Sequence, residues 1–271
     1  MSINLVFNPH VLNSPFTQGY ISYLVDVLDI IDDDNIPISL NSTEFHKYTI
    51  LFHQIAKPTF IRGYEPEYIV RVLHSGELEI PEVDFKFFPK EKFIYITQYK
   101  EQAEFLNQAG ITCHYFPMGI NTSRLPSTNT KNDKWIYFGN LYPKKLDTFN
   151  LLKETLDFDV LSFSKFNDEE TVLSHNDCLN LVSNYSYGIG VGRCALEMVS
   201  MGLPVLVAGE KVGGTLVTKE DFTFHRDYNF NSSSSNSLGL NQDIETITNS
   251  TLEIETSDIS LNLNNWISVL T

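Results

Sequence analysis

At 271 residues, with 42% hydrophobic and 20% charged side chains, the chain has the composition of a globular protein and is long enough for two modest domains. Its formal net charge of −15 runs through both halves and leaves no basic stretch of the kind that grips a polyanion, which disfavours nucleic acid and anionic membrane as partners. Cys113, Cys178 and Cys194 lack metal-ligand spacing, and no apolar run approaches the ~20 residues of a membrane span, so the expected setting is cytoplasmic, with reduced thiols and no transmembrane segment.

The apolar run at 3–7 is expected as a first strand, with a loop over 8–19 after it. Ile21, Leu24, Val25, Leu28 and Ile31 recur at helical spacing and predict a helix over 20–31. Asp32, Asp33 and Asp34 end it as a solvated turn, since nothing nearby supplies further metal ligands. A strand at 48–53, a helix at 65–74, a strand at 92–97, a helix at 100–109 closed by Gly110, and a strand at 112–116 follow. This alternation predicts an α/β layer on a parallel sheet. The polar stretch 121–133, containing Pro126 and no apolar period, is the expected linker. The alternation then restarts, with a strand at 135–138, a helix at 146–156, a strand at 159–163, a short helix or turn at 177–182, a helix at 195–201 and a strand at 204–208. Consecutive serines inside 231–236 mark a loop, and 261–270 around Trp266 is a closing amphipathic segment.

Chemistry concentrates at 187–214. Gly188, Gly190 and Gly192 precede Arg193 and a helix. A glycine-rich loop running into a helix N-terminus lets backbone N–H groups of Gly190, Val191, Gly192 and Arg193 approach an anion, and the helix dipole favours negative charge there. The Arg193 guanidinium adds a charge-assisted contact to phosphate. Glu197, one turn on, is an acceptor suited to ribose hydroxyls, a role that an acidic residue fills in dinucleotide-binding folds. From the residues alone, nucleotide binding and ordinary packing of these glycines stand level.

The run Gly192-Arg193-Cys194-Ala195-Leu196-Glu197-Met198, followed by Gly202-Leu203-Pro204-Val205, resembles the signature of the family 4-like retaining glycosyltransferases. Gly213-Gly214-Thr215-Leu216-Val217-Thr218 resembles the continuation in a branch that carries G-R-x-A-L-E. Phe116-Pro117-Met118-Gly119-Ile120-Asn121 resembles that family's interdomain segment, and Phe138-Gly139-Asn140-Leu141-Tyr142-Pro143-Lys144-Lys145 its loop after the first strand of the second domain. The likeness extends over roughly residues 93–218 and is faint before that.

The resemblance implies a GT-B fold: α/β, with two Rossmann-like domains facing across a cleft. The first, 1–121, would hold the acceptor, and the second, 122–256, the nucleotide-diphosphate sugar, with a closing helix at about 257–271 packing back on the first. It implies glycosyl transfer with retention, metal-independent and without a cofactor, from a donor for which a UDP-sugar is the foremost candidate, to an unidentified glycan, glycolipid or protein acceptor. Donor contacts fall on Gly19, Gly139, Asn140, Lys145, Gly190, Val191, Gly192, Arg193 and Glu197. Arg193, Lys145 and His53 are the candidates for a part in the chemistry, with Lys145 and Arg193 stabilising the leaving diphosphate. His53, at the end of its expected strand, also fits a structural role. Two positions depart from the pattern: Asn140 stands where the family has arginine, and Ile189, eight residues before Glu197, stands where it has its first glutamate. These departures keep open a non-catalytic partner subunit, and because fold does not fix function a nucleotide-sugar epimerase or hydrolase on the same fold is a second alternative.

Overall fold

The computed structural model describes residues 3–6, 18–33, 37–51, 58–73, 78–127, 131–162, 173–210, 212–216 and 219–230, together with 244, 245 and 248. The chain is α/β and divides into two compact units, with the break between Gly119 and Ile120. Of the expectations above, His53, the loop 8–17, the serine run at 231–236 and the closing segment 257–271 lie outside the described residues.

The first unit runs β1 (Ile3–Val6), α1 (Gln18–Asp33), β2 (Ile38–Leu40), β3 (Tyr48–Leu51), β4 (Tyr68–Leu73), β5 (Phe93–Thr97), α2 (Lys100–Gln108) and β6 (Cys113–Tyr115). These strands form one sheet in the order β2-β1-β3-β4-β5-β6, with every pairing parallel. Alternate side chains go to opposite faces. Ile3, Leu5, Ile50, Val70 and Val72 pack with Tyr23, Leu24 and Val27 of α1. Val6, Leu51, Ile69, Phe93 and Tyr95 pack with Ala103 and Leu106 of α2. Gly110 has φ +73 and ends α2 in the left-handed conformation that glycine adopts without a Cβ penalty.

Segment 65–74 is the main correction to the expected elements. Its core is a strand, β4, and not a helix. Ile69, Val70 and Val72 are fully buried because both faces of a central parallel strand are covered, which erases the polar alternation of a half-exposed strand. Arg71 stays inside because its Nε lies 3.2 Å from Asp84 Oδ2, and Tyr95 Oη donates to the same oxygen at 3.2 Å. Strands β2, β9 and β11 and helix α6 are also additions to the expected set; β9 takes in Gly188 and Gly190, which were expected in a loop, so only Val191 separates the strand from the helix that starts at Gly192.

The second unit runs β7 (Asn132–Phe138), α3 (Leu146–Thr155), β8 (Phe158–Leu161), α4 (His175–Val182), β9 (Tyr185–Gly190), α5 (Gly192–Ser200), β10 (Val205–Ala208), β11 (Val212–Leu216) and α6 (Lys219–Asp227). Sheet order is β11-β10-β9-β7-β8, parallel except for the antiparallel pair β10–β11. Phe149 and Leu152 of α3 pack on Tyr137, Ile189 and Leu206 across one face. Met198 of α5 lies against Gly188 and Gly190 of β9. From β7 the chain builds outward to β8, then returns to place β9 on the other side of β7. The order therefore reverses between β7 and β9, and the carboxyl ends of two such strands are where doubly wound sheets leave a crevice for ligands.

Candidate functional site

The two loops that flank this reversal carry the candidate residues. After β7 the chain turns at Gly139, whose φ of +147 favours glycine, and passes through a 3-10 turn at Pro143–Lys145 into α3. This turn sets the fates of two adjacent lysines. Lys144 is exposed, while Lys145 is buried at 7% exposure. The Lys145 ammonium donates to the Asn140 carbonyl at 3.1 Å and lies 4.6 Å from the centre of the Tyr142 ring. Burial holds its pKa below the ordinary lysine value, outweighing the opposite pull of Cys194 and of Glu210. Among the described residues no carboxylate lies within ion-pair distance of Lys145.

After β9 the chain enters α5 through Val191, in extended conformation, and Gly192, at φ +58. The glycines here have packing reasons of their own. A Cβ on Gly188 would come 2.5 Å from Met198 Sδ, and one on Gly190 would come 2.9 Å from both Met198 Cε and the Phe138 carbonyl oxygen. Both allow α5 to lie close on the sheet. The Gly192 N–H donates to the Phe230 carbonyl at 3.0 Å. That amide, expected to face an anion, is spent inside the unit.

Arg193 and Glu197 are both buried, at 5% and 1% exposure, so Glu197 does not project into solvent from the helix surface. Arg193 Nε donates to Glu197 Oε1 at 2.8 Å, an i,i+4 pair along α5. The same oxygen lies 2.8 Å from His175 Nε2, brought in by α4. Burial pushes the Glu197 carboxyl up, but Arg193 and His175 together outweigh it and hold the pKa below the usual glutamate value. Cys194, at the same turn of α5, has its thiol pushed well up by burial and by Glu197, against the weaker pull of Lys145 and Arg193. An ideal Cβ on Gly139 would lie 3.9 Å from Cys194 Sγ, so the loop after β7 meets the first turn of α5.

Thus Gly139, Asn140, Lys145, Val191, Gly192, Arg193 and Glu197 lie on the segments and the first two turns of helix beyond β7 and β9, and Gly190 is the last residue of β9. Gly19 belongs to the other unit, in the first turn of α1. Ile189 is fully buried in the core under α3, so the position of the family's first glutamate is a packing position here. His175 carries no motif in the sequence. The usable signal is Ser174-x-x-Asp177, a capping box in which the Ser174 side chain takes the Asp177 N–H and Asp177 returns to the Ser174 N–H. It starts α4 and fixes His175 in its first turn.

Among the described residues no group of three or more His, Cys, Asp or Glu side chains is placed to hold a metal ion, and no helix is long and apolar enough to cross a membrane. Comparison with models of protein families and with curated proteins finds no match to this chain.

Proposed function

We propose that the second unit binds a nucleotide-diphosphate sugar between the loops after β7 and β9, and that the chain is a glycosyltransferase of the GT-B class whose first unit takes the acceptor. The observation that carries this reading is the pair of buried cations, Lys145 and Arg193, in the two segments that follow β7 and β9 at the strand-order reversal, with the Glu197 carboxylate paired to Arg193. Among the described residues the direct partners of the Lys145 ammonium are a carbonyl oxygen and a ring face, with Glu210 acting from beyond ion-pair distance, and burial of a charge is costly unless an anion completes it. A diphosphate supplies that anion. Gly139 and Gly192, with their positive φ values, allow the two loops their turns.

In the proposed reaction the bond between the sugar's anomeric carbon and the β-phosphate oxygen breaks, and a bond to the acceptor oxygen forms on the same face. The acceptor's hydroxyl proton passes to the leaving diphosphate. Lys145 and Arg193 stabilise the charge that builds on that diphosphate, Glu197 orients Arg193 and accepts from the ribose hydroxyls, and no metal ion is required. The family resemblance supports retention and a UDP-sugar donor, with Gly19 as a candidate donor contact and His53 as a candidate contact to the donor sugar or the acceptor. Ile189 favours a second reading, a subunit that binds donor without turnover.

A thermal-shift panel of nucleotide sugars, with and without EDTA, tests the binding step, since a ligand that binds only the folded state raises its stability. Stabilisation by one nucleotide class, unaffected by EDTA, supports the proposal, and no shift with any nucleotide sugar contradicts it. Product analysis then separates transfer to an added acceptor from isomerisation or hydrolysis of the donor, and binding without any product supports the second reading.

A further inference from the structure

We infer that His175 is a positioning residue for the nucleotide site, acting through Glu197; this rests on the reading of the second unit as a nucleotide-diphosphate site. Three observations carry it. His175 Nε2 and Arg193 Nε both lie 2.8 Å from one carboxylate oxygen, Glu197 Oε1, so a single atom is held from two helices. Those helices belong to different crossovers of the sheet: α4 precedes β9 and α5 follows it. The contact therefore ties the helix carrying Arg193 to a second element. Lastly, His175 is itself set in place twice, by the capping box at Ser174 and Asp177, and by the Phe138 ring at the end of β7, 6.2 Å from its own ring centre.

A carboxylate with one donor can swing about its side-chain torsions and take its arginine with it. With donors converging from two directions on one oxygen, the Glu197 head is restrained, and the Arg193 guanidinium bonded to it is restrained in turn. Arginine binds phosphate through a planar fork whose orientation decides whether two hydrogen bonds form or one. His175 thus sets the orientation of a phosphate-binding group that it need not touch. Other ionisable groups near this cluster are Cys178 and Asp177 on α4, Cys194 on α5, and Lys145 after β7.

The test measures binding of UDP, GDP and ADP by calorimetry, following whichever the wild type binds most tightly. His175→Phe keeps the ring contact with Phe138 and removes the hydrogen bond. His175→Gln returns an N–H donor near the Nε2 position. His175→Phe is expected to weaken nucleotide binding five- to tenfold, and His175→Gln to stay within about twofold to threefold of wild type. In the Glu197→Ala background, adding His175→Phe is expected to change affinity by less than twofold. The inference is overturned if His175→Gln binds as poorly as His175→Phe, if His175→Phe binds like wild type, or if His175→Phe loses the same factor with and without Glu197. The last result would indicate a packing effect alone. A wild type that binds none of the three nucleotides overturns the reading of the site itself, and the inference with it. If His175→Phe fails to fold, the Glu197→Ala and Glu197→Ala/His175→Gln pair decides, with equal affinities expected and a further loss contradicting the inference.

Discussion

Arg193 and Glu197 stand one turn apart on α5 and form a buried ion pair, Nε to Oε1 at 2.8 Å, with both side chains almost fully removed from water. Removing one member of such a pair leaves the other charged and desolvated, which costs about 3–5 kcal/mol. Glu197→Gln is therefore expected to destabilise the protein strongly near neutral pH. The pH dependence has a definite sign. The Glu197 pKa is lowered in the folded chain from an ordinary value of 4.5. Its contribution is fully present above that ordinary value and is lost as pH falls through the lower, folded value. The gap in melting temperature between wild type and Glu197→Gln should thus be constant from pH 7 to about 5 and narrow below the ordinary glutamate range. A gap unchanged down to pH 3 would show that the carboxylate is not held charged by its partners.

Lys145 gives the cleaner probe of the proposed anion site. Arg193→Ala removes a cation but also strands the Glu197 carboxylate, so loss of binding would be mixed with loss of stability. Among the described residues Lys145 has no acid within ion-pair distance, and replacing it with methionine keeps the length and removes the buried charge. Lys145→Met is expected to raise stability by about 0.5–2 kcal/mol, the usual gain where a site is kept at a cost to the fold. The same change should weaken nucleotide-diphosphate binding about tenfold to a hundredfold, as for the loss of a charged hydrogen bond. Lys144→Met, at an exposed position one residue away, should alter neither quantity appreciably. Melting curves and calorimetry on the two variants check this, and a Lys145→Met protein that is less stable with unchanged affinity would mark the lysine as structural.

The glycines of β9 differ in what surrounds them. An added methyl at Gly190 meets the Phe138 carbonyl oxygen of β7 as well as Met198, whereas at Gly188 it meets the Met198 side chain and a Val205 methyl. Backbone gives way less readily than a methionine, which has three rotatable bonds. Gly190→Ala is expected to cost about 1–3 kcal/mol. Gly188→Ala should cost less, and most of its cost should vanish when Met198 is also changed to alanine. Chemical denaturation of Gly188→Ala and Gly190→Ala, each alone and combined with Met198→Ala, measures this against Met198→Ala itself, and equal rescue of Gly190→Ala by Met198→Ala would remove the backbone from the explanation.

Strands and helices with a clean period are legible in the sequence. Tyr23, Leu24 and Val27 of α1 and Ala103 and Leu106 of α2 each bury one stripe on opposite faces of the first sheet. Strand β4 is not legible in that way. A fully covered strand has no polar alternation, and its Arg71 looks like a solvent-facing helix position until Asp84, thirteen residues on, arrives as its partner. Strand β11 contains Gly213 and Gly214, which carry no strand preference, and is defined by pairing with β10. In the candidate site, Lys145 and Arg193 stand out by local spacing from a glycine. His175 does not, because its meaning lies in a contact with Glu197 across twenty-two residues and a crossover. The packing role of Gly190 is equally hidden, since a glycine beside a helix N-terminus reads the same whether its neighbour is a phosphate or a methionine.

The central claim, that Lys145 and Arg193 form one anion site at the β7–β9 reversal, is tested most directly by calorimetric titration of the wild type and Lys145→Met with a nucleoside diphosphate and with the corresponding nucleoside. The account predicts 1:1 binding of the diphosphate to the wild type, a loss of at least tenfold in Lys145→Met, the magnitude of a charged hydrogen bond, and weak nucleoside binding that the substitution leaves unchanged. Equal affinity of the two proteins for the diphosphate, or no diphosphate binding by the wild type, would contradict it.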